Sequence, residues 1–77
     1  METRVITKKD LDADNSIEEI IFNGNIEFAE NLLTVKVRKS VRATGYIWAK
    51  AGDGIEAGWG IEAGDGIKAG EGIEAGS

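Results

Sequence analysis

Carboxylates, glycines and a few aromatic side chains are the residues here whose spacing could do chemistry. Asp10, Asp12 and Asp14 alternate within DLDADNS as the first ligands of a calcium loop do, where carboxylates two residues apart converge on one hard cation. The pattern then fails, because the sixth place is Asn15 instead of glycine and the twelfth is Ile21 instead of glutamate. A solvated acidic turn is the better reading. Gly-x-Gly runs recur from Gly52 to Gly72. A phosphate cradle needs one such turn between a strand and a helix, and no helical segment follows any of them. Lys36, Arg38, Lys39 and Arg42 form a basic cluster, which a net charge of −5 assigns to neighbouring carboxylates over nucleic acid. The absence of cysteine and histidine removes disulfides, Cys/His zinc sites, cysteine nucleophiles and His-dependent triads. Paired carboxylates would need a pocket to act as acid and base. The chain is therefore expected not to be an enzyme and to carry no cofactor or metal.

What must position these groups is a repeat. From Ala51 to Ser77 the chain reads AGDGIE-AGWGIE-AGDGIK-AGEGIE-AGS, with isoleucine at 55, 61, 67 and 73 and alanine two places after each. In a strand, residues i and i+2 point the same way, so Ile and Ala face inward while the Glu or Lys between them faces water. Glycines around one variable residue suit a corner. A three-residue strand cannot bury its apolar face alone, but stacked units can, which is the logic of a solenoid. A flexible glycine-rich linker gives no reason for isoleucine at every sixth place.

The same period runs upstream in degenerate form: Ile20/Phe22, Ile26/Phe28, Val35/Val37, Val41/Ala43 and Ile47/Ala49, with insertions at 29–34 and at Lys50-Ala51. Nine inward pairs divide into three turns of a three-sided coil. The expected fold is all-β, a short three-sided β-solenoid of about three coils whose handedness the pattern leaves open. One domain spans 1–77, with an N-terminal cap and acidic loop at 1–16, degenerate coils at 17–49 and regular repeats at 50–77. One wall should stack Ile20, Val41 and Ile61, the next Ile26, Ile47 and Ile67, the last Val35, Ile55 and Ile73. Arg42 then lies beside Glu62 and Lys36 beside Glu56, and the core narrows from Phe22 and Phe28 to alanine. Met1–Lys9, where Thr3, Val5 and Thr7 alternate, is expected to lie across the end of the coil. Ser16 and Glu19 form a capping-box pattern that could open a helix. The β-branched pair Ile20-Ile21 favours strand instead.

The six-residue period across 35–77 resembles that of left-handed β-helix acyltransferases, and the resemblance implies architecture only. Where those hexads place a small residue, this chain has Asp53, Trp59, Asp65 and Glu71, and the histidine of their chemistry is missing. Pentapeptide-repeat DNA mimics share the solenoid logic with a period of five. The small size, acidity and lack of a catalytic set also resemble phage-encoded anti-defence inhibitors such as anti-CRISPR proteins. That likeness implies a non-catalytic binding protein that blocks a nucleic-acid-handling partner by presenting carboxylates in place of phosphates. Its partner would be a protein with a basic surface, without direct contact to nucleic acid or membrane. Asp53, Glu56, Glu62, Asp65, Glu71 and Glu74 would supply the charge, and Trp48 and Trp59 the anchors, since tryptophan is over-represented among hot spots.

The competing expectation is a structural module whose coils stack end to end. Terminal repeats need a polar cap, and the last repeats offer none. Whichever reading holds, Ile67, Ile73 and Ala75 are expected to pair two C-terminal coils as a twofold homodimer; open-ended growth would mark the structural module, and a discrete dimer the inhibitor. No apolar signal region follows Met1 and no run is long enough to span a membrane, so a cytoplasmic setting is expected, the host cytoplasm if the chain is phage-encoded.

Overall fold

The computed structural model describes residues 1–70 and 72–75. Those residues wind into an all-β solenoid of about four turns. Eleven strands follow one another around three sides: β1 (Thr3–Ile6), β2 (Ser16–Ile17), β3 (Ile20–Phe22), β4 (Asn25–Phe28), β5 (Leu33–Val37), β6 (Ser40–Ala43), β7 (Tyr46–Ala49), β8 (Asp53–Ala57), β9 (Gly60–Ala63), β10 (Gly66–Ala69) and β11 (Gly72–Ala75). Every third strand pairs in parallel, giving wall A (β1-β4-β7-β10), wall B (β2-β5-β8-β11) and wall C (β3-β6-β9). No helix among the described residues is long and apolar enough to cross a membrane.

The period of the isoleucines sets the register. Ile20, Val41 and Ile61 align on wall C. Ile26, Ile47 and Ile67 align on wall A, and Val35, Ile55 and Ile73 on wall B. Each interior column packs like against like, and burying one such side chain is worth about 1.5–3 kcal/mol. Neighbouring columns taper upward as the side chains shrink, from Phe28 to Ala49 to Ala69 and from Phe22 to Ala43 to Ala63. Corner backbones are satisfied by the coil below, as in Gly45 N–H to Gly24 O at 2.8 Å and Gly58 N–H to Val37 O at 2.9 Å. A side chain at Gly64 would meet the Thr44 carbonyl oxygen at 2.2 Å, so close stacking of coils demands glycine there.

The N-terminal segment departs from the expected lid. Residues 3–6 form a rung: β1 pairs with β4 in parallel, Ile6 is buried opposite Phe28, and Asn25 N–H donates to Glu2 O at 2.9 Å. A segment laid crosswise would leave the backbone groups of β4 unpaired on that side, and adding a rung satisfies them. Ser16 likewise leaves the loop to join β2, beside β5. The capping-box helix at Ser16 does not form. Instead the chain bends between β2 and β3 and keeps the strand.

The insertions at 29–34 and 50–52 lie at the corner between walls A and B and stack on each other. Asn31 N–H reaches Ala51 O at 3.2 Å and Leu33 N–H reaches Gly52 O at 3.0 Å. Asn31 and Leu33 take left-handed backbone conformations, with φ of 60° and 66°, and Leu32 between them turns into the core. This widened corner is what later buries Asp53.

Candidate functional site

Wall A holds one set of interacting side chains that spans two coils. Burial of Ile47 and Ala49 turns Tyr46 and Trp48 outward, two residues apart on β7. The rung below places Glu27 in register with Trp48. The Tyr46 hydroxyl donates to Glu27 Oε2, and Lys50 Nζ lies 3.2 Å from Glu27 Oε1. These partners, Tyr46 first and then Lys50, hold the Glu27 carboxyl below the usual range against the opposing effect of desolvation. The same bond pushes the Tyr46 phenol up. Lys50 also sits 5.3 Å from the Trp48 ring centroid, within cation–π range.

The rung above is where the repeat thins. Gly66 aligns with Tyr46 and Lys68 with Trp48. Gly66 has φ of +136° and nothing within 4 Å of where a side chain would begin. The space above Tyr46 therefore stays open, a shallow groove of about 530 Å³ between Tyr46–Trp48 and Asp65–Lys68.

Each outward column on the other two walls sets one basic residue beneath carboxylates of the coils above it. Wall B runs Lys36, Glu56, Glu74, and wall C runs Ile21, Arg42, Glu62. Arg42 Nε is 3.5 Å from Glu62. Arg38 bridges Asp12 at 2.8 Å and Glu18 at 2.9 Å, which raises the guanidinium pKa further. Lys39 adds a contact to Glu18 at 3.4 Å, and Arg38 and Lys39 together hold that carboxyl below its usual value. The basic cluster is thus spent largely on carboxylates of adjacent coils. Each exposed pair is worth little to stability and mainly fixes register.

The expected contact residues do not gather on one face. Trp48 lies on wall A, Glu56 and Glu74 on wall B, and Glu62 on wall C. Trp59 sits at the B–C corner with Lys39 Nζ 5.5 Å from its ring, and Asp65 at the C–A corner. Among the described residues, Glu56 comes together with Glu74, and Trp48 with Asp65 across the groove. Glu71 lies outside the described residues. Asp53 is a correction: it is 0% exposed, with Oδ1 accepting the Leu32 N–H at 2.6 Å, so it takes no part in a surface contact. Unlike Trp59 and Asp65 at the equivalent corners, it lies beneath the inserted Leu32 loop. Burial pushes its carboxyl pKa up, against the pull of backbone donors. Of the self-association residues, Ile67 and Ile73 are each 40% exposed, while Ala75 is opposite Ala57 in β11.

The acidic loop is likewise committed to structure. Asp10 accepts the Thr7 N–H at 2.8 Å, and Asp12 is held by Arg38. No group of three metal-ligating side chains occurs among the described residues. The Glu27–Tyr46–Lys50 network was legible only by extending the column rule one coil down from Trp48, which makes Glu27 its outward neighbour. No known family model, curated protein or solved structure matches the chain.

Proposed function

We propose that the chain is a non-catalytic, self-associating module that closes its C-terminal coil against the same coil of a second copy. One observation carries this reading. Ile67 and Ile73 are 40% exposed, whereas Ile47 and Ile55, directly beneath them in the same columns, are 0% and 2% exposed. Among the described residues β9, β10 and β11 each have a neighbour on one side only. A single added strand would cover one of these edges, whereas the end of another three-sided coil covers all of them at once. The opposite end is unsuited to receive it. There Arg4 stands in the column of Ile26, and pressing a guanidinium onto Ile67 would strand a charge in apolar surroundings. Tail-to-tail pairing brings isoleucine to isoleucine and makes a closed twofold dimer. A cytoplasmic setting belongs to this reading.

Sedimentation velocity from low to high micromolar tests it. The wild type should pass from the 8.2 kDa chain to a species of twice that mass, and Ile67→Glu with Ile73→Glu should stay monomeric with unchanged circular dichroism. A monomer at every concentration, or growth into filaments, would refute the pairing.

Glu56 and Glu74 favour a second reading. They stack in register on wall B and carry no ion pair among the described residues, as a phosphate mimic would require. Such a surface would block a nucleic-acid-handling protein in the manner of an anti-defence inhibitor. Lys36 interrupts the rank one rung below, which limits it to two carboxylates. Pull-down from the native cell should recover a basic nucleic-acid-binding protein that Glu56→Lys/Glu74→Lys no longer holds. The same catch with both would remove the idea.

A further inference from the structure

We infer that the groove on wall A binds a proline-rich peptide in the polyproline conformation, laid across Tyr46 and Trp48. Four features of the groove select this ligand.

The first is spacing. Outward positions two apart on a strand are separated by about 6.6 Å. A polyproline helix advances about 6.2 Å over two residues, and its triangular section sets two of every three side chains on one surface. Two ligand rings therefore keep step with the two aromatic side chains, as aromatic-lined grooves that accept such segments require.

The second is the sense of the hydrogen bonds on offer. The Tyr46 hydroxyl is already given to Glu27. Among the described residues the Trp48 indole N–H has no hydrogen-bond acceptor and Lys68, in register with it, has no ion pair. The free groups beside the rings are donors. A proline segment has backbone carbonyls to accept from them and no backbone N–H of its own that would go unpaired. A ligand rich in its own donors would leave them competing for acceptors that the aromatic strip does not supply.

The third is space. Gly66, aligned with Tyr46, leaves the room above that ring unfilled, and a floor without a side chain lets a ring-bearing backbone approach. The fourth is charge. Stacked bases of single-stranded nucleic acid would suit the same rings, but the chain's net charge of −5 disfavours a phosphate backbone. Asp65 instead suits a basic residue flanking the prolines. This inference does not depend on the pairing of coils: Ile67 lines the groove and also belongs to a column proposed to pair, but Tyr46, Trp48 and Lys68, which carry the argument, hold outward positions on wall A.

The test is fluorescence anisotropy with a labelled peptide of about ten prolines ending in arginine, on the full chain. Saturable binding is expected. It should fall about tenfold or more in Trp48→Ala, the loss typical of a hot-spot aromatic, and about threefold in Lys68→Gln, which removes a single charged donor at a surface contact. Trp59→Ala, at another corner, should bind as the wild type does, and circular dichroism reports whether each variant folds. Should Trp48→Ala fail to fold, the Lys68→Gln and Trp59→Ala pair decides by itself. Absence of saturation at millimolar peptide, equal affinity in Lys68→Gln, or tighter capture of a cello-oligosaccharide or an oligothymidylate than of the peptide would each overturn the inference.

Discussion

Asp53→Asn should stabilise the protein at neutral pH and leave it unchanged in acid. The Asp53 side chain is wholly buried; one oxygen accepts the Leu32 N–H at 2.6 Å, and the other has no hydrogen-bond partner among the described residues. Desolvation raises its pKa above the ordinary aspartate value of 3.8, helped by the nearby Glu30 and opposed by the backbone donors and the Lys50 charge. A carboxyl whose pKa rises on folding stabilises the native state fully below its unfolded value and loses that contribution as pH climbs through the folded value. Below about pH 3.8 the wild type carries a neutral acid, to which the amide is a near isostere. Between the unfolded and folded values the wild type keeps a proton that water would take, and above the folded value it holds a charged oxygen with no partner among the described residues. Leaving one buried polar atom unsatisfied costs about 1–3 kcal/mol, and more when it is charged. The neutral amide avoids the charged part, so a gap of about 1–3 kcal/mol should open with rising pH. For a domain of this size each kcal/mol moves the midpoint by about 4–8 °C. Thermal melts of both proteins followed by circular dichroism across pH 3 to 8 would show it, with pH values chosen to bracket the carboxylate range. A gap of constant size at every pH, or a variant less stable than the wild type at neutrality, would refute the reasoning.

Two further outcomes follow from the columns and from wall A. Ile47→Ala, deep in the second coil step of its column, should cost about 2–5 kcal/mol in urea unfolding. Ile67→Ala, one rung up and 40% exposed, should cost distinctly less, and equal costs would contradict the burial gradient. Glu27→Gln should lower the midpoint at neutral pH, where the carboxylate accepts from Tyr46 and pairs with Lys50. Because those partners lower the Glu27 pKa, the stability they give is present above the ordinary value of 4.5 and lost as pH falls through the folded one, so the two proteins should converge in acid.

Period was the informative signal in this sequence, and insertions were where it stopped. The spacing of isoleucine determined which residues share a wall, because register in a parallel stack follows from the inward positions alone. It gave no account of what an inserted residue does at a corner. Asp53 occupies the same place in its hexad as Trp59 and Asp65, both exposed, yet Leu32 and its loop close over it. The first rung was missed for a related reason. Arg4 holds an inward position, and a charged residue there does not register as part of an apolar column. At the outermost rung an inward position still faces water on one side, so a charge is tolerated where one rung deeper it would not be. The Tyr46–Glu27–Lys50 network was obscured because its members lie 19 residues or more apart in two of their pairings and meet only through stacking.

The two ends of the rod differ in a way that bears on its role. Strand edges that must stay single are usually guarded by inward charges, proline or bulges. The first rung has such a guard in Arg4. The last rungs are built from Gly-Ile-x-Ala, with Ile67 and Ile73 at inward positions, charge only on the outward side at Lys68 and Glu74, and no proline anywhere in the chain. The last repeats, from Gly58 on, are thus as regular as any in the sequence yet hold no buried residue among those described. Regularity cannot there serve the burial of its own isoleucines. What it does provide is a flat, unguarded set of edges in fixed register, to which a matching coil can add without repacking. An end that is guarded and one that is not cannot join head to tail without setting Arg4 against Ile67, so in the proposed pairing the growth that a plain repeat would permit stops after one step. The proposed closed dimer rests on that asymmetry more than on hydrophobicity. Replacing Arg4 with isoleucine should therefore do what no change at the other end does, and turn discrete pairs into longer assemblies visible by light scattering. If Arg4→Ile remained a discrete pair, the N-terminal charge would not be what limits assembly.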